Sequence, residues 1–468
     1  MTGKKSRSKL IYSELDDFIF GHAYKPVACG NGLIIGGGKV YPEINFTLPQ
    51  MMIEKNAWRE IENQYSDMID SICQRAVELF VPGIVVELEL LPPMTLEPDL
   101  GAEITQIMRR TLDNFHRDHG LLSVLRVTPV DVRDMVRPPR MRSGEHLEKM
   151  LRSFEVCAEA GADILSIEST GGKEIHDDAL MMGDLKGILF ALAVLGVKDM
   201  TFLWEHIVKI SREKNVIPGG DTACGFANTA MVLADKGMIP KVLAAVDRVA
   251  SVPRSLQAHV MGATGPTKDC AYEGPYIKAI TGVPISMEGK SSACAHLSSI
   301  GNVAAACCDL WSNESVQNVR LLSTYAPVVS TEQLAYDCRL MNAALEEGVH
   351  AATKLRDWLV KSDKYLDPQA YILSPDIVID ICRRLVQCNS PYEMTLCAVD
   401  QTLTRLRDAH RENKLQMSDS ELRWLNCLSK SFESIPQNDN EMNELIQEGP
   451  YGSKFNSEEY LLRNISLE

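Results

Sequence analysis

The sequence predicts an α/β protein in which a parallel sheet is followed by a helical C-terminal region. From about residue 56 to about residue 340, short β-rich runs alternate with helical patterns, which indicates repeated βα units. Beyond about residue 340 this alternation ends. The length of 468 residues fits two or three average domains, and it also fits a single barrel with insertions.

The first 55 residues are predicted to be an extension that contains a β-hairpin. Short apolar runs flank three consecutive glycines, Gly36 to Gly38, in the segment GNGLIIGGGKVYPEINF. Apolar runs separated by glycines are typical of two strands joined by a turn. We therefore expect residues 1–55 to lie outside the barrel, which would occupy residues 56–340.

Six runs in the central region are predicted to be strands: GIVVELEL, LSVLRVTP, DILSIE, NVIPGG, LQAHVM and VPISM. Between two of them, HLEKMLRSFEVCAEAGAD carries Leu147, Met150 and Phe154 at helical spacing, and Gly161 is expected to end this helix. The helix leads directly into the strand that ends at Glu168. Barrel enzymes build their sites at the carboxyl ends of strands, so Glu168 is a candidate site residue.

Residues 341–468 are predicted to form a helical layer. Segments such as PDIVIDICRRLVQC and SELRWLNCLSKSF are amphipathic, and the acidic run NDNEMNELIQE is typical of a solvated face. The pattern alone leaves two roles open for this layer, because it could cover the barrel or dock a partner.

Composition and charge exclude several classes of protein. The formal net charge of -15 and the pI near 5.3 disfavour a nucleic-acid partner, which needs clustered basic residues. The basic N-terminus lacks the apolar region of a secretory signal, and no uncharged apolar stretch of about 18 residues is present. Thirteen cysteines, an odd number without regular spacing, argue against a disulfide framework and fit a reducing compartment. We expect a cytoplasmic enzyme without a membrane partner.

Three side chains form a candidate zinc site. Glu168 lies in ILSIESTGGKE, Cys224 in VIPGGDTACGFANTA and Cys270 in HVMGATGPTKDCAYEG, each just past an apolar run and beside glycines. Zinc binds thiolate sulfur and carboxylate oxygen, and a catalytic zinc has three protein ligands and one open position. Three ligands on three separate loops therefore predict an open site.

Other residues near strand ends are weaker candidates. Glu288 and Lys290 in the run SMEGKSSACAH would either line the mouth of the barrel or pair with each other, and His296 in the same run is a candidate pocket or second-shell group. The adjacent pair Cys307 and Cys308 is poorly arranged for one metal, since neighbouring side chains on a helix point about 100 degrees apart.

Five motifs give the sequence a family resemblance. The segments GADILSIESTGGKE, GGDTACGFANTAM, GPTKDCAYE, AITGVPISMEGKSSACAH and CCDLWSNESV resemble the methanol:corrinoid methyltransferase subunit of methylotrophic methanogens and acetogens. The resemblance runs from the segment FGHAYKPVACGNG to about residue 370. It implies a (β/α)8 TIM barrel, and it implies that zinc is held by Glu168, Cys224 and Cys270.

The resemblance also implies a reaction and a partner. In this family zinc binds the methanol oxygen, and a cob(I)amide on a separate corrinoid protein attacks the methyl carbon. This chain lacks the D-x-H-x-x-G motif of a cobalamin-carrying domain, because its nearest match, Asp408-Ala409-His410, has Asn413 at the glycine position. A corrinoid-binding protein is therefore the expected partner, and the chain itself is expected to form a homo-oligomer such as a dimer.

Further residues and functions stay open at this point. Glu87 and Asp269, near strand ends, are candidate acids or second-shell groups. Ala223 and Phe226 beside Cys224 are candidate substrate-pocket residues that depart from the family's more polar pattern, which makes a methyl ether or another methoxylated donor an alternative to methanol. A non-catalytic partner of a corrinoid protein is a further alternative, and a zinc hydrolase is a minor one.

Overall fold

The structure, a computed structural model, describes residues 10–47, 58–268, 272–289, 299–316 and 324–462. Its strands are β1 (His22–Ala28), β2 (Ile34–Gly37), β3 (Tyr41–Thr47), β4 (Ile84–Glu89), β5 (Ser123–Thr128), β6 (Ile164–Leu165), β7 (Ile217–Pro218), β8 (Ser286–Glu288) and β9 (Leu310–Val316). The helices before β9 are α1 (Trp58–Glu78), α2 (Pro92–Leu96), α3 (Pro98–His119), α4 (Glu145–Glu159), α5 (Lys173–Met182), α6 (Leu185–Leu189), α7 (Val197–Lys214), α8 (Thr229–Asp235), α9 (Lys241–Ala250), α10 (Val252–Met261) and α11 (Gly274–Thr281). The later helices are α12 (Ala326–Glu346), α13 (Val349–Asp363), α14 (Pro368–Leu373), α15 (Pro375–Leu385), α16 (Pro391–Arg411), α17 (Asp419–Phe432) and α18 (Asp439–Gln447).

Seven strands form one sheet in the spatial order β7-β6-β5-β4-β3-β9-β8. All neighbouring strands in it are parallel. The first strand of the sheet along the chain, β3, pairs with the last one, β9, so the sheet curls back on itself. Helices α1, α3, α4 and α7 connect successive strands, as the predicted βα alternation requires.

The gap between β7 and β8 is filled by residues 264–267, the eighth strand position. The N–H of Thr264 donates to the carbonyl of Pro218 at 2.9 Å, and Thr267 forms a parallel bridge with Ile285. This segment therefore touches β7 on one side and the β8 region on the other, and it closes the ring.

The strand prediction for LQAHVM is wrong, because these residues lie in α10. The helix has a proline in its first turn and ends at Gly262, whose φ is +121°. A short apolar run has no periodicity that separates a strand from a buried helix. The strand position follows the helix by a few residues, immediately before Lys268.

The N-terminal region divides differently from the predicted boundary at residue 55. The hairpin pairs β1 with β2, whereas β3 belongs to the barrel sheet. Two glycines of the triplet, Gly36 and Gly38, have φ values of +78° and +110°, which lets the chain leave the hairpin and turn into β3. The barrel therefore begins at Tyr41, inside the predicted extension.

The hairpin closes the amino-terminal end of the barrel. Leu33 and Ile35 are fully buried and pack among side chains from the starts of the strands: Tyr41, Val85, Val124, Ile164 and Leu310. One layer further along the strands the interior becomes charged, since Glu43 and Arg126 are fully buried and ion-paired at 2.7 Å. The polar groups thus lie toward the carboxyl ends of the strands, an end that we call the barrel mouth.

The C-terminal helices pack on helices that follow the strand ends. Helices α14, α16 and α17 contact α9, and α18 contacts the π-helical turn Phe190–Gly196. Near the C-terminus, the Tyr460 hydroxyl accepts a hydrogen bond from the N–H of Gly172 at 3.2 Å. The predicted helical layer therefore covers the outside of the barrel and reaches the loop after Glu168.

One helical stretch among the described residues, Leu185–Lys214, is long and apolar enough to span a membrane. In its most apolar window, 78% of the residues are buried inside the molecule. Such burial is typical of a core helix.

Candidate active site

Glu168 lies at the barrel mouth, three residues after β6. Its side chain is 38% exposed, and its Oε1 is 3.6 Å from the Nζ of Lys268. Burial raises the pKa of Glu168 well above its usual range, Lys268 opposes this shift, and the charges of Glu89, Glu314 and Asp221 add to it. The mouth is therefore rich in carboxylates and favourable for a cation.

Cys224 begins the π-helical turn Cys224–Asn228, shortly after β7. Its side chain is nearly buried, and its N–H donates to the carbonyl of Thr222 at 2.9 Å. The Thr222 hydroxyl lies 3.4 Å from the Cys224 sulfur and donates to the carbonyl of Lys268 at 3.1 Å.

Lys268 joins the loops of several strands. Its side chain is fully buried, and its Nζ donates to Glu87 at 2.6 Å and to Glu89. The same carboxylates accept further bonds, since the Thr128 hydroxyl donates to Glu87 at 2.6 Å and the Asn45 amide donates to Glu89 at 3.2 Å. Glu87 and Glu89 of β4 are therefore held beside Lys268, which directly follows the eighth strand position.

Glu87 lies in this cluster as a carboxylate. Burial alone would raise its pKa, but Lys268 and Arg126 together hold the pKa below its usual range. Its second oxygen, Oε2, has no hydrogen-bond partner among the residues that the structure describes. Of the two roles predicted for Glu87, a supporting contact suits this charge state better than proton donation.

Ala223 and Phe226, the two residues that depart from the family's more polar pattern, are both fully buried. The Phe226 ring contacts the His176 ring at a centroid distance of 4.9 Å, and the Arg254 guanidinium lies over the Phe226 ring, 4.5 Å from its centroid. The N–H of Ala223 donates to Glu273 at 2.5 Å. These contacts brace the turn that carries Cys224.

Glu288 at the end of β8 is fully buried and accepts a hydrogen bond from the Tyr272 hydroxyl at 2.9 Å. Tyr272 has a φ of +53°, a region that a bulky side chain seldom adopts. The remaining predicted site residues lie outside the described residues: Asp269, Cys270, Lys290 and His296.

Comparisons with known proteins identify the family. The chain matches the family described as methanol-cobalamin methyltransferase B subunit over residues 4–461. The chain belongs to this family. The methanol–corrinoid protein co-methyltransferase of Methanosarcina barkeri (strain Fusaro / DSM 804) is 36% identical over 437 residues, which are 92% of this chain and 93% of that protein.

A solved structure gives the same result for the methyltransferase fold. The crystal structure of the methanol:cobalamin methyltransferase complex MtaBC from Methanosarcina barkeri matches with a TM-score of 0.91 and 34% identity, over 97% of this chain and 99% of that chain. The predicted family resemblance and the predicted barrel fold are confirmed, and the chain is a methyltransferase.

Sequence reasoning missed the residues that support the site of this methyltransferase. Asp131, after β5, accepts from the N–H of Thr170 at 2.9 Å, and the Ser169 hydroxyl bonds to Asp221. Arg254 on α10 donates to the Ser169 carbonyl at 3.0 Å. The loop after Glu168 is thus held from three sides, by groups far from it in sequence that no local motif announces.

The donor types of the proposed zinc site fit the metal. Among the residues that the structure describes, no group of three His, Cys, Asp or Glu side chains is placed to hold a metal ion, and the third predicted ligand, Cys270, lies outside them. A thiol and a carboxylate at one end of the barrel, among further carboxylates, suit a zinc ion.

Proposed function

We propose that this methyltransferase moves the methyl group of methanol to the corrinoid of a separate protein, with zinc held by Glu168, Cys224 and Cys270. The observation that carries the proposal is the position of Glu168 and Cys224 after the neighbouring strands β6 and β7. Cys270 follows the next strand position along the chain. The similar protein from Methanosarcina barkeri is a methanol–corrinoid protein co-methyltransferase, which supports the substrate and the partner.

In this proposal, different residues of the chain bind the metal, position its neighbours and keep the substrate at the barrel mouth. Zinc, when bound, supplies a Lewis acid toward the methanol oxygen, which offsets the poor leaving ability of hydroxide. Glu168 and the cysteine thiolates bind the metal, and Lys268 holds the carboxylates beside it. The buried pair of Glu43 and Arg126 fills the barrel below, so a small alcohol stays at the mouth. The corrinoid comes from the partner, since this chain lacks the cobalamin-binding motif.

Zinc analysis of the reduced protein tests the ligand set. We expect stoichiometric zinc in the wild type, and we expect Glu168→Gln, Cys224→Ser and Cys270→Ser each to weaken zinc binding by at least the ~10–100-fold that loss of a second-shell contact costs. Cys157→Ser is the matched control, because Cys157 is a buried free thiol on α4. A wild-type protein without zinc, or ligand variants that retain it, would refute the proposed site.

A donor panel tests the substrate. Zinc-loaded protein is mixed with a reduced corrinoid protein, and cobalt methylation is followed by absorption with methanol or with methoxylated compounds. We expect methanol to react fastest. Faster reaction of a methyl ether would assign the alternative donor, and zinc-loaded protein that binds the corrinoid protein but uses no donor would indicate a non-catalytic partner.

A further inference from the structure

Three carboxylates at the barrel mouth share one ammonium group. The Nζ of Lys268 lies 2.6 Å from Glu87 Oε1, in direct contact with Glu89 Oε1, and 3.6 Å from Glu168 Oε1. Lys268 and Glu87 are fully buried, and the Glu89 side chain is 18% exposed. These four residues, which we call the Lys268 cluster, come from three different strand ends.

The Nζ of Lys268 lies closer to two of the three carboxylates than to the third. Glu87 and Glu89 make hydrogen bonds with Lys268, whereas Glu168 Oε1 lies 3.6 Å from Nζ, beyond hydrogen-bond distance, against 2.6 Å for Glu87 Oε1. Thr128 donates to the same Glu87 oxygen, Oε1, as Lys268 does, and Asn45 donates to the same Glu89 oxygen, Oε1. Lys268 therefore tethers the two β4 carboxylates, and Glu168 lies outside its hydrogen bonds.

The chemistry of zinc makes this difference important. Zinc accepts carboxylate oxygens readily, and a catalytic site works only while one coordination position stays open. Glu87 and Glu89 lie close enough to the metal ligand Glu168 to share its lysine, and both are negatively charged oxygen donors. Without a competing cation, they are suited to occupy the position that a substrate needs.

We propose that Lys268 is a positioning residue that keeps Glu87 and Glu89 out of the metal's coordination shell, so that Glu168 is the carboxylate that binds. This inference rests on the proposed zinc site. The ammonium attracts both β4 carboxylates by its charge and hydrogen-bonds to Oε1 of each, and it thereby preserves the open position. Lys268 acts through these neighbours and does not itself bind the metal.

The proposal predicts opposite changes in metal binding and in activity. In Lys268→Met, Glu87 or Glu89 is released to bind the metal, and a positive charge beside it is lost. We expect the metal to resist chelators about 10-fold or more better than in the wild type, while methyl transfer falls by a similar or larger factor. Structural damage alone would weaken metal binding, so the two explanations give different signs.

Cobalt(II) substitution measures the coordination directly. Tetrahedral cobalt absorbs more strongly in its d–d bands than five- or six-coordinate cobalt, so we expect weaker bands in Lys268→Met. In the triple variant Glu87→Gln, Glu89→Gln, Lys268→Met, the extra carboxylates are gone, and we expect the wild-type spectrum and chelator sensitivity to return. Lys278→Met is the matched control, because Lys278 is also fully buried and bonds to Asp309 at 2.8 Å beside strands β8 and β9.

The outcomes separate this inference from the proposed function. If the wild type binds no metal, the proposed zinc site fails. If the wild type binds metal but Lys268→Met has an unchanged spectrum and unchanged or weaker metal binding, or if the triple variant does not recover, the role of Lys268 is wrong. Should Lys268→Met not fold, Glu87→Gln with Lys268→Met carries the test, since it removes one buried charge of each sign and leaves Glu89 to bind.

Discussion

His176 and Asp247 form a fully buried pair next to the turn that carries Cys224. The His176 Nε2 lies 2.8 Å from Asp247 Oδ1, and its Nδ1 lies 3.6 Å from Asp177. Burial alone would lower the pKa of His176, but Asp247 and Asp177 outweigh it, and the pKa is raised above its usual 6.5. Because the His176 ring also contacts Phe226, the charge of this pair is linked to the packing of the Cys224 turn.

A pH-dependent stability follows from this pair. Since the pKa of His176 is raised in the folded state, its stabilising effect is complete below about 6.5 and is lost as the pH rises through the folded pKa. We expect Asp247→Asn to cost about 1 kcal/mol more unfolding free energy at about pH 6 than at about pH 9. Urea unfolding at both pH values measures the difference.

Asp118→Asn serves as the control for this measurement, because Asp118 is exposed and pairs only with the neighbouring Arg117 among its described ion pairs. We expect it to leave the free energy of unfolding almost unchanged at both pH values, because an exposed ion pair contributes little to stability. An equal cost of Asp247→Asn at both values would show that His176 is not charged in the folded protein.

The connection from β6 to α5 shows how one short element holds a ligand in position. Gly171 and Gly172 follow Glu168 by three and four residues, and a Cβ on Gly171 would lie 2.4 Å from Asp199. Gly172 has a φ of +88°, and a Cβ there would lie 2.8 Å from the carbonyl oxygen of Ala191. The loop therefore packs against the Asp199 side chain at Gly171 and against backbone at Gly172, and both positions favour glycine.

Gly172→Ala tests this close packing. We expect it to cost about 1–2 kcal/mol for the left-handed backbone and about 1–3 kcal/mol more for the steric overlap, measured by urea unfolding. Gly120→Ala is the matched control, since Gly120 also has a positive φ, +71°, but has nothing within 4 Å of a Cβ. Equal costs for the two variants would mean that the carbonyl of Ala191 gives way.

The sequence predicted some strands and helices more accurately than others. The buried strands β4 and β5 and the helix α4 were predicted close to their observed bounds, because each has a clear apolar pattern of its own. The run LQAHVM was assigned to a strand but lies in α10. The eighth strand position is instead taken by residues 264–267, which pair with β7 and with the β8 region through a few backbone contacts. Backbone contacts of this kind leave no apolar pattern in the local sequence.

The barrel as a whole depends on the hairpin that closes its amino-terminal end. Ile35 is fully buried among the first residues of the strands, whereas the adjacent Ile34 is 48% exposed. Alternate residues of a strand face opposite sides, so neighbours of the same type have different surroundings. The hairpin thus contributes to the core of the barrel although it is outside the barrel sheet.

Ile35→Ala and Ile34→Ala form a matched pair that measures this contribution. We expect Ile35→Ala to lower the free energy of unfolding by about 2–5 kcal/mol, because it leaves a cavity at the closed end. Ile34→Ala should change it by about 0.5 kcal/mol or less. Similar losses in thermal or urea unfolding would mean that the hairpin is not part of the core.

By itself, the sequence determined the repeated βα units, the family and the candidate ligands, because apolar periodicity and the motifs around Glu168 and Cys224 are local signals. Only the tertiary structure decided that β3 belongs to the barrel, that residues 264–267 complete it, and that Lys268 lies among carboxylates. Glu87 and Lys268 are 181 residues apart in the chain. Ring closure and buried ion pairing depend on such distant partners, and a local pattern carries no information about which partner a buried charge will find.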